Sequence, residues 1–173
     1  SGFGVHLLAY DPFPKKELAT EYHFSYVSLP MLVKESDIIS LHAPLTPSTR
    51  HIINKKVVQK MKPGVSIINT SRGGLVESES IVWGLEQGII SGAALDVLEG
   101  EDLLKERTAI EYSALSPKDM RIILMNEALI AHPNTIVTPH NAFNSQEAVQ
   151  RIIDTTIDTI FAAERGTLQY DVT

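Results

Sequence analysis

Short apolar runs and helical patterns take turns along this chain, and that alternation leaves few folds open. The run from Val5 to Tyr10 ends in Asp11-Pro12, which predicts a strand followed by a turn. Ser28 is placed to cap a short helix with Pro30 in its first turn, running to about Glu35. Ile38 to Leu41 reads as the next buried strand, broken at His42-Ala43-Pro44, and Asn54 as the cap of a helix from Lys55 to Met61. A strand is predicted over Val65 to Asn69, ending in Thr70-Ser71-Arg72-Gly73-Gly74. A helix over Glu77 to Gln87 closes at Gly88, and Ala93 to Val97 and Thr135 to Thr138 are the last strands. Strands and helices that alternate with short connections predict an α/β fold with a doubly wound parallel sheet, covered by helices on both faces.

Two stretches depart from that rhythm. Residues 99–125 are long and charged, and read as an insertion with some helix lying over the strand ends. From Asn144 a last helix is expected, opened by an Asn-x-x-Glu capping box of Asn144 and Glu147. It carries Ala148, Ile152, Ile153, Ile157, Ile160 and Phe161 on one face, ahead of a polar tail from Gly166.

Composition narrows the class of partner. With 43% hydrophobic and 21% charged residues, a packed core is expected. The formal net charge is −6 and no basic stripe accompanies it, which speaks against nucleic acid. No apolar stretch approaches the roughly 18 residues of a membrane helix. Cysteine is absent, which removes disulfides and thiolate metal sites and fits a cytoplasmic protein; no metal site is expected.

Parallel α/β sheets bind their ligands beyond the carboxyl ends of the strands, so the residues just after each strand are the candidates. Asp11 ends the first strand, where a carboxylate serves either a ribose or an ordinary Asp-Pro turn. Arg72, just after a strand and ahead of two glycines, presents a planar fork suited to a carboxylate, or is a surface arginine in a turn. Asp96 ends the next strand, with Glu99 and Glu101 close behind, and His140 follows the last one. Histidine is the side chain best suited to proton transfer near neutral pH. An arginine, a carboxylate and a histidine on three consecutive strand ends form a catalytic constellation more readily than a coincidence.

The stretches Leu41-His42-Ala43-Pro44-Leu45-Thr46-Pro47-Ser48-Thr49, Met61 to Gly74, Gly92-Ala93-Ala94-Leu95-Asp96-Val97 and Pro133 to His140 resemble, in order, the D-isomer-specific 2-hydroxy-acid dehydrogenases. Pro139-His140-Asn141-Ala142-Phe143 with Glu147-Ala148-Val149 is most similar to the D-lactate dehydrogenase branch. The resemblance implies a Rossmann-type domain that binds NAD, and hydride transfer between NAD(H) and a small D-2-hydroxy acid/2-keto acid pair such as D-lactate and pyruvate. It implies that Arg72 binds the substrate's carboxylate and carbonyl oxygen, and that His140 is the general acid in reduction. Glu101, five residues after Asp96, is implied as the partner of His140, with Glu99 as the competing carboxylate. Asp11, Ala43, Pro44, Thr49, Thr70, Ser71, Arg72 and Asp96 are implied to line the cofactor site.

The same resemblance marks what departs from the family pattern. No Gly-x-Gly-x-x-Gly occurs, so the phosphate loop and the strand before it are expected upstream of Ser1. The expectation is therefore an NAD-binding domain over 1–143, incomplete at its N-terminus, and an arm over 144–173 that returns towards a substrate domain. Such a fragment is expected to be inactive alone, with an unpaired sheet edge, in a protein that forms a homodimer. Beside this reading stand a standalone binding module that never had the other half, and two further alternatives. One is an NAD(H)-sensing, dehydrogenase-like corepressor or binding protein. The other is the same chemistry on 3-phosphoglycerate, glyoxylate or hydroxypyruvate, against which only Phe143 and its neighbours speak.

Overall fold

The computed structural model describes residues 2–104, 115–141 and 144–167. The chain divides into two compact units, Ser1–Val137 and Thr138–Thr173.

The first unit is built on a four-stranded parallel sheet in the order β3 (Ile38–Leu41), β4 (Val65–Asn69), β5 (Ile90–Leu95), β6 (Thr135–Val137). A separate parallel pair, β1 (Leu8–Ala9) with β2 (Ser25–Tyr26), precedes it. Register follows the side-chain alternation of strands: Ile39 lies opposite Ile67, and Ile67 opposite Ala93. These residues, with Val65, Leu41 and Leu95, bury one sheet face. On it pack Val33 of α2 (Leu29–Glu35), Val58 of α3 (Lys55–Val58), Ile81 and Leu85 of α4 (Ser78–Glu86), and Leu129 of α5 (Pro117–Ala131). Five of these residues, Val58, Val65, Ile67, Ile81 and Leu129, have no exposed surface at all. Each fully buried aliphatic side chain stabilises the fold by about 1.5–3 kcal/mol.

The expected parallel α/β architecture is present, with differences in extent that have local causes. β3 is not buried throughout: Ile38 is 61% exposed, as is Ile136 of β6 at 67%, because both point away from the packed face. β5 starts at Ile90, sooner than expected, because Gly88 adopts a left-handed φ of 67° and turns the chain straight from α4 into the strand. It ends at Leu95, opposite Asn69, where its partner strand also ends. α3 stops at Val58 because its last turn tightens: the Lys60 and Met61 amides bond to the carbonyls of Val57 and Val58. α1 (Lys16–Tyr22) and β2 carry no periodic apolar signal, and α1 buries no residue.

The charged stretch from residue 99 contains a short 3-10 turn, Glu101–Leu104, and the start of α5, which runs on to Ala131. Ser116 caps α5, its hydroxyl accepting the Asp119 amide at 3.1 Å. In the second unit, α6 (Gln146–Glu164) is capped by Ser145, not Asn144. The Ser145 hydroxyl accepts the Ala148 amide at 3.2 Å, while Asn144 donates its own amide to Asn141. The expected apolar face of α6 is present and exposed, from Ile157 at 45% to Ile152 and Ile160 at 55%. Ala142 and Phe143 lie outside the described residues.

Candidate active site

Three loops leave the carboxyl ends of β3, β4 and β5, and the sequence binds each to the next. Asn69, the last residue of β4, is fully buried and shapes the loop that follows it. Its amide nitrogen donates to the Arg72 carbonyl at 3.0 Å, and its side-chain oxygen accepts the Ser71 amide at 3.1 Å. The Ser71 hydroxyl donates across to the Ala43 carbonyl at 2.7 Å, joining the β4 loop to the β3 loop. Thr49 braces the β3 loop from within: its hydroxyl donates to the Pro44 carbonyl at 2.6 Å and accepts the Thr46 amide at 2.8 Å. Further along, the amides of His51 and Ile53 donate to the carbonyls of Gly74 and Leu75. Arg72 and Thr70 are exposed above this floor, with one Arg72 guanidinium nitrogen donating to the Ser71 carbonyl at 2.7 Å.

The β5 loop is held more tightly still. Asp96, 6% exposed, donates its amide to the Asn69 carbonyl at 2.9 Å. Gly73 lies so close to the next segment that a Cβ there would stand 1.9 Å from the Leu98 carbonyl oxygen. Only glycine permits this approach, so the second residue after Thr70-Ser71 is fixed by packing and not by backbone angle. Glu99 is buried, and its carboxylate has two anchors: His51 Nε2 at 2.6 Å and the Ser78 amide at 3.1 Å. Arg50 stands 3.8 Å away. Glu101 is exposed at the start of its 3-10 turn.

The remaining candidates lie elsewhere. Asp11, just beyond β1, uses one carboxylate oxygen to accept the Phe13 amide at 2.7 Å, the turn chemistry its Pro12 neighbour suggests. His140 belongs to the second unit, where it is exposed and takes a left-handed φ of 53° with its amide donated to Thr138. Among the described residues no cluster of histidine, aspartate and glutamate suits a metal ion. No helix of the described residues is long and apolar enough to cross a membrane.

Single-residue reading missed His51, Asn69, Ser78 and Asn126. Asn69 was detectable in principle, as a polar residue closing an otherwise apolar strand. The other three work through partners distant in sequence, so no local pattern marks them. The donor set fits a dinucleotide: an acidic residue at one strand end, and backbone-lined loops at three others braced at their carboxyl ends.

Comparison with known proteins bears on this directly. Residues 1–142 match the family "D-isomer specific 2-hydroxyacid dehydrogenase, NAD binding domain". The chain is 39% identical to a 2-hydroxyacid dehydrogenase homolog of Zymomonas mobilis, over 95% of this chain and 48% of that protein. Identity to the D-lactate dehydrogenase of Escherichia coli is also 39%, again over 95% and 48%. The crystal structure of TP0037 from Treponema pallidum, a D-lactate dehydrogenase, superposes with a TM-score of 0.84 at 31% identity, over 99% of this chain and 50% of that one. The chain thus spans about half the length of the relatives it matches. Both the match along the sequence and the parallel sheet with its braced strand-end loops lead to one conclusion: the chain belongs to the D-isomer-specific 2-hydroxyacid dehydrogenase family and carries that family's NAD-binding domain.

Proposed function

We propose that the full-length protein is an NAD-dependent dehydrogenase interconverting a small D-2-hydroxy acid and its 2-keto acid, of the D-lactate/pyruvate kind. The observation that carries this is Arg72, exposed on a loop that Asn69, Ser71 and Gly73 fix at the carboxyl end of β4. A rigidly based guanidinium there suits bidentate recognition of a substrate carboxylate. NADH, when bound, supplies the hydride. Arg72 would hold the carboxylate and the carbonyl oxygen, lowering the cost of the charge that develops on that oxygen. His140 would pass a proton from its imidazole to that oxygen, and take it back in the oxidative direction. Glu101 would stand beside the imidazole and favour its protonated form. That Glu99 already accepts from His51 and the Ser78 amide favours Glu101 over it in this role.

Asp11, Ala43, Pro44, Thr49, Thr70, Ser71, Arg72 and Asp96 would line the dinucleotide, Asp11 nearest the adenosine ribose and Asp96 nearest the nicotinamide. The NAD-binding domain would extend over 1–143, and residues 144–173 would form an arm towards a substrate domain. The same reading takes the protein as a cytoplasmic homodimer that uses neither nucleic acid nor a membrane. The test is NADH oxidation by the full-length protein against a panel of 2-keto acids, with His140→Ala beside the wild type. Turnover that is lost in His140→Ala supports the reading. A wild type that binds NADH but turns over no keto acid would sink it and favour an NAD(H)-sensing protein.

A further inference from the structure

Glu99 is given no part in the proton transfer proposed above, yet its carboxylate is buried and doubly anchored, and its backbone carbonyl is bonded as well. Its side chain reaches two elements at once, His51 on the β3 loop and the Ser78 amide at the start of α4. Its backbone carbonyl accepts Asn126 Nδ2 of α5 at 2.8 Å, and Asn126 in turn accepts the Ser78 hydroxyl at 2.7 Å. The three residues therefore close a buried ring of hydrogen bonds. A cavity of about 110 Å³ adjoins them, with Glu77, Glu79, Lys118 and Arg121 in its lining. With Arg50 and the His51 imidazole, these are the titratable and charged groups near Glu99 among the described residues.

A buried carboxylate is a poor source of stability, since its desolvation offsets most of what its partners return. It is a strong source of position, because two charge-assisted hydrogen bonds from different elements fix it in direction as well as distance. Glu99 sits between Asp96 and Glu101, the two residues of this segment to which the proposed reaction gives work.

We propose that Glu99 is a positioning residue for the reaction: through His51 and Ser78 it holds the segment from Asp96 to Glu101 in the place that the role proposed for Glu101 requires. This rests on the function proposed above. The Glu99→Gln side chain keeps the volume but offers one acceptor where two donors point, so one anchor is lost while the fold is kept.

The experiment uses the full-length protein with Glu99→Gln, Glu101→Gln and the double variant. It reads kcat, KM for the keto acid, the NADH Kd from fluorescence, and hydrogen exchange over residues 97–101. Glu99→Gln is expected to lower kcat about 10-fold, the scale of a small misplacement of a catalytic group. KM and the NADH Kd should change less than kcat, since Asp96 keeps its own amide bond to the Asn69 carbonyl. Exchange over 97–101 should rise, and Glu99→Gln should cost nothing further once Glu101 is glutamine. An equal loss of kcat in both backgrounds, or no loss in either, would overturn the proposal while leaving the dehydrogenase reading intact. Should Glu99→Gln fail to fold, Glu99→Asp, which keeps the charge but draws it back by one methylene, enters the same cycle. A wild type without turnover would overturn both readings together.

Discussion

His51 Nε2 lies 2.6 Å from Glu99 Oε1, a contact between residues 48 positions apart that ties the loop after β3 to the loop after β5. His51 reaches it from a left-handed backbone, with φ of 52°. For a residue with a Cβ that conformation costs roughly 1–2 kcal/mol, and the pair with Glu99 and the amide bond to Gly74 offset it.

Two substitutions separate the two effects. His51→Ala removes the pair and keeps the strain, whereas His51→Gly removes both. We expect the alanine variant to be the less stable by about 1 kcal/mol, an inversion of the usual ranking of these residues. Urea midpoints of the two variants measure it. Equal midpoints would mean that the left-handed backbone at this position is not strained.

Asn126 and Ser78 should behave as one unit. Asn126→Leu leaves the Ser78 hydroxyl and the Glu99 carbonyl buried without their partner, at a cost of about 2–3 kcal/mol. Ser78→Ala alone should cost less, because Asn126 keeps its bond to Glu99. The double variant is expected to lose less than the sum, since the second change removes a group already orphaned by the first. Additive losses in chemical denaturation would show that the ring does not act as a unit.

These two cases also mark the boundary of what the sequence discloses. The core strands were legible because Val65, Ile67 and Leu95 sit in short apolar runs, and only the early start of β5 at Ile90 was not. Arg72, Asp96 and Glu101 drew notice as candidates because strand ends are where such sheets bind ligands. α1 and β2 were not legible, since a helix that buries no residue leaves no periodicity. The capping of α6 was misplaced by one residue because Asn144 and Ser145 are both good caps, and only the turn from Asn141 decides between them. His51 and Asn126 were invisible for a deeper reason: their roles exist only once residues far apart in the chain have met.

Gly73 gives a sharp packing test. Its missing Cβ would overlap the Leu98 carbonyl, and a backbone atom cannot swing aside as a side-chain tip would. Gly73→Ala should therefore destabilise by about 1–3 kcal/mol and push the Arg72 loop away from the β5 loop. Weaker NADH binding by the full-length protein should accompany the lower thermal midpoint. A stable variant with unchanged NADH affinity would show that the two loops can part without consequence.

Glu147 offers a pH-dependent prediction in the second unit. Its carboxyl is held below its ordinary value of 4.5 by a hydrogen bond from its own backbone amide and then by one from the Ser145 hydroxyl. A lowered folded-state pKa means that the charged form stabilises the helix start. That contribution is complete above pH 4.5 and is lost as pH falls through the lowered pKa. Amide exchange in the first turn of α6 should accelerate over that interval, and Glu147→Gln should flatten the dependence. An equally steep profile in the variant would assign the effect to another carboxylate.

The final prediction concerns the shape of the cation at position 72, not its charge. A lysine there keeps the positive charge but loses the planar pair of donors, and its single ammonium cannot span two oxygens. If Arg72 holds the substrate by two parallel hydrogen bonds, losing one of them costs about 1.5–3 kcal/mol, or roughly 10–10²-fold in kcat/KM. Arg72→Ala, which removes both donors, should lose more. Steady-state kinetics on the full-length protein decide the point. Arg72→Lys with full activity would mean that charge alone suffices, and the carboxylate would then have to be recognised by some other group.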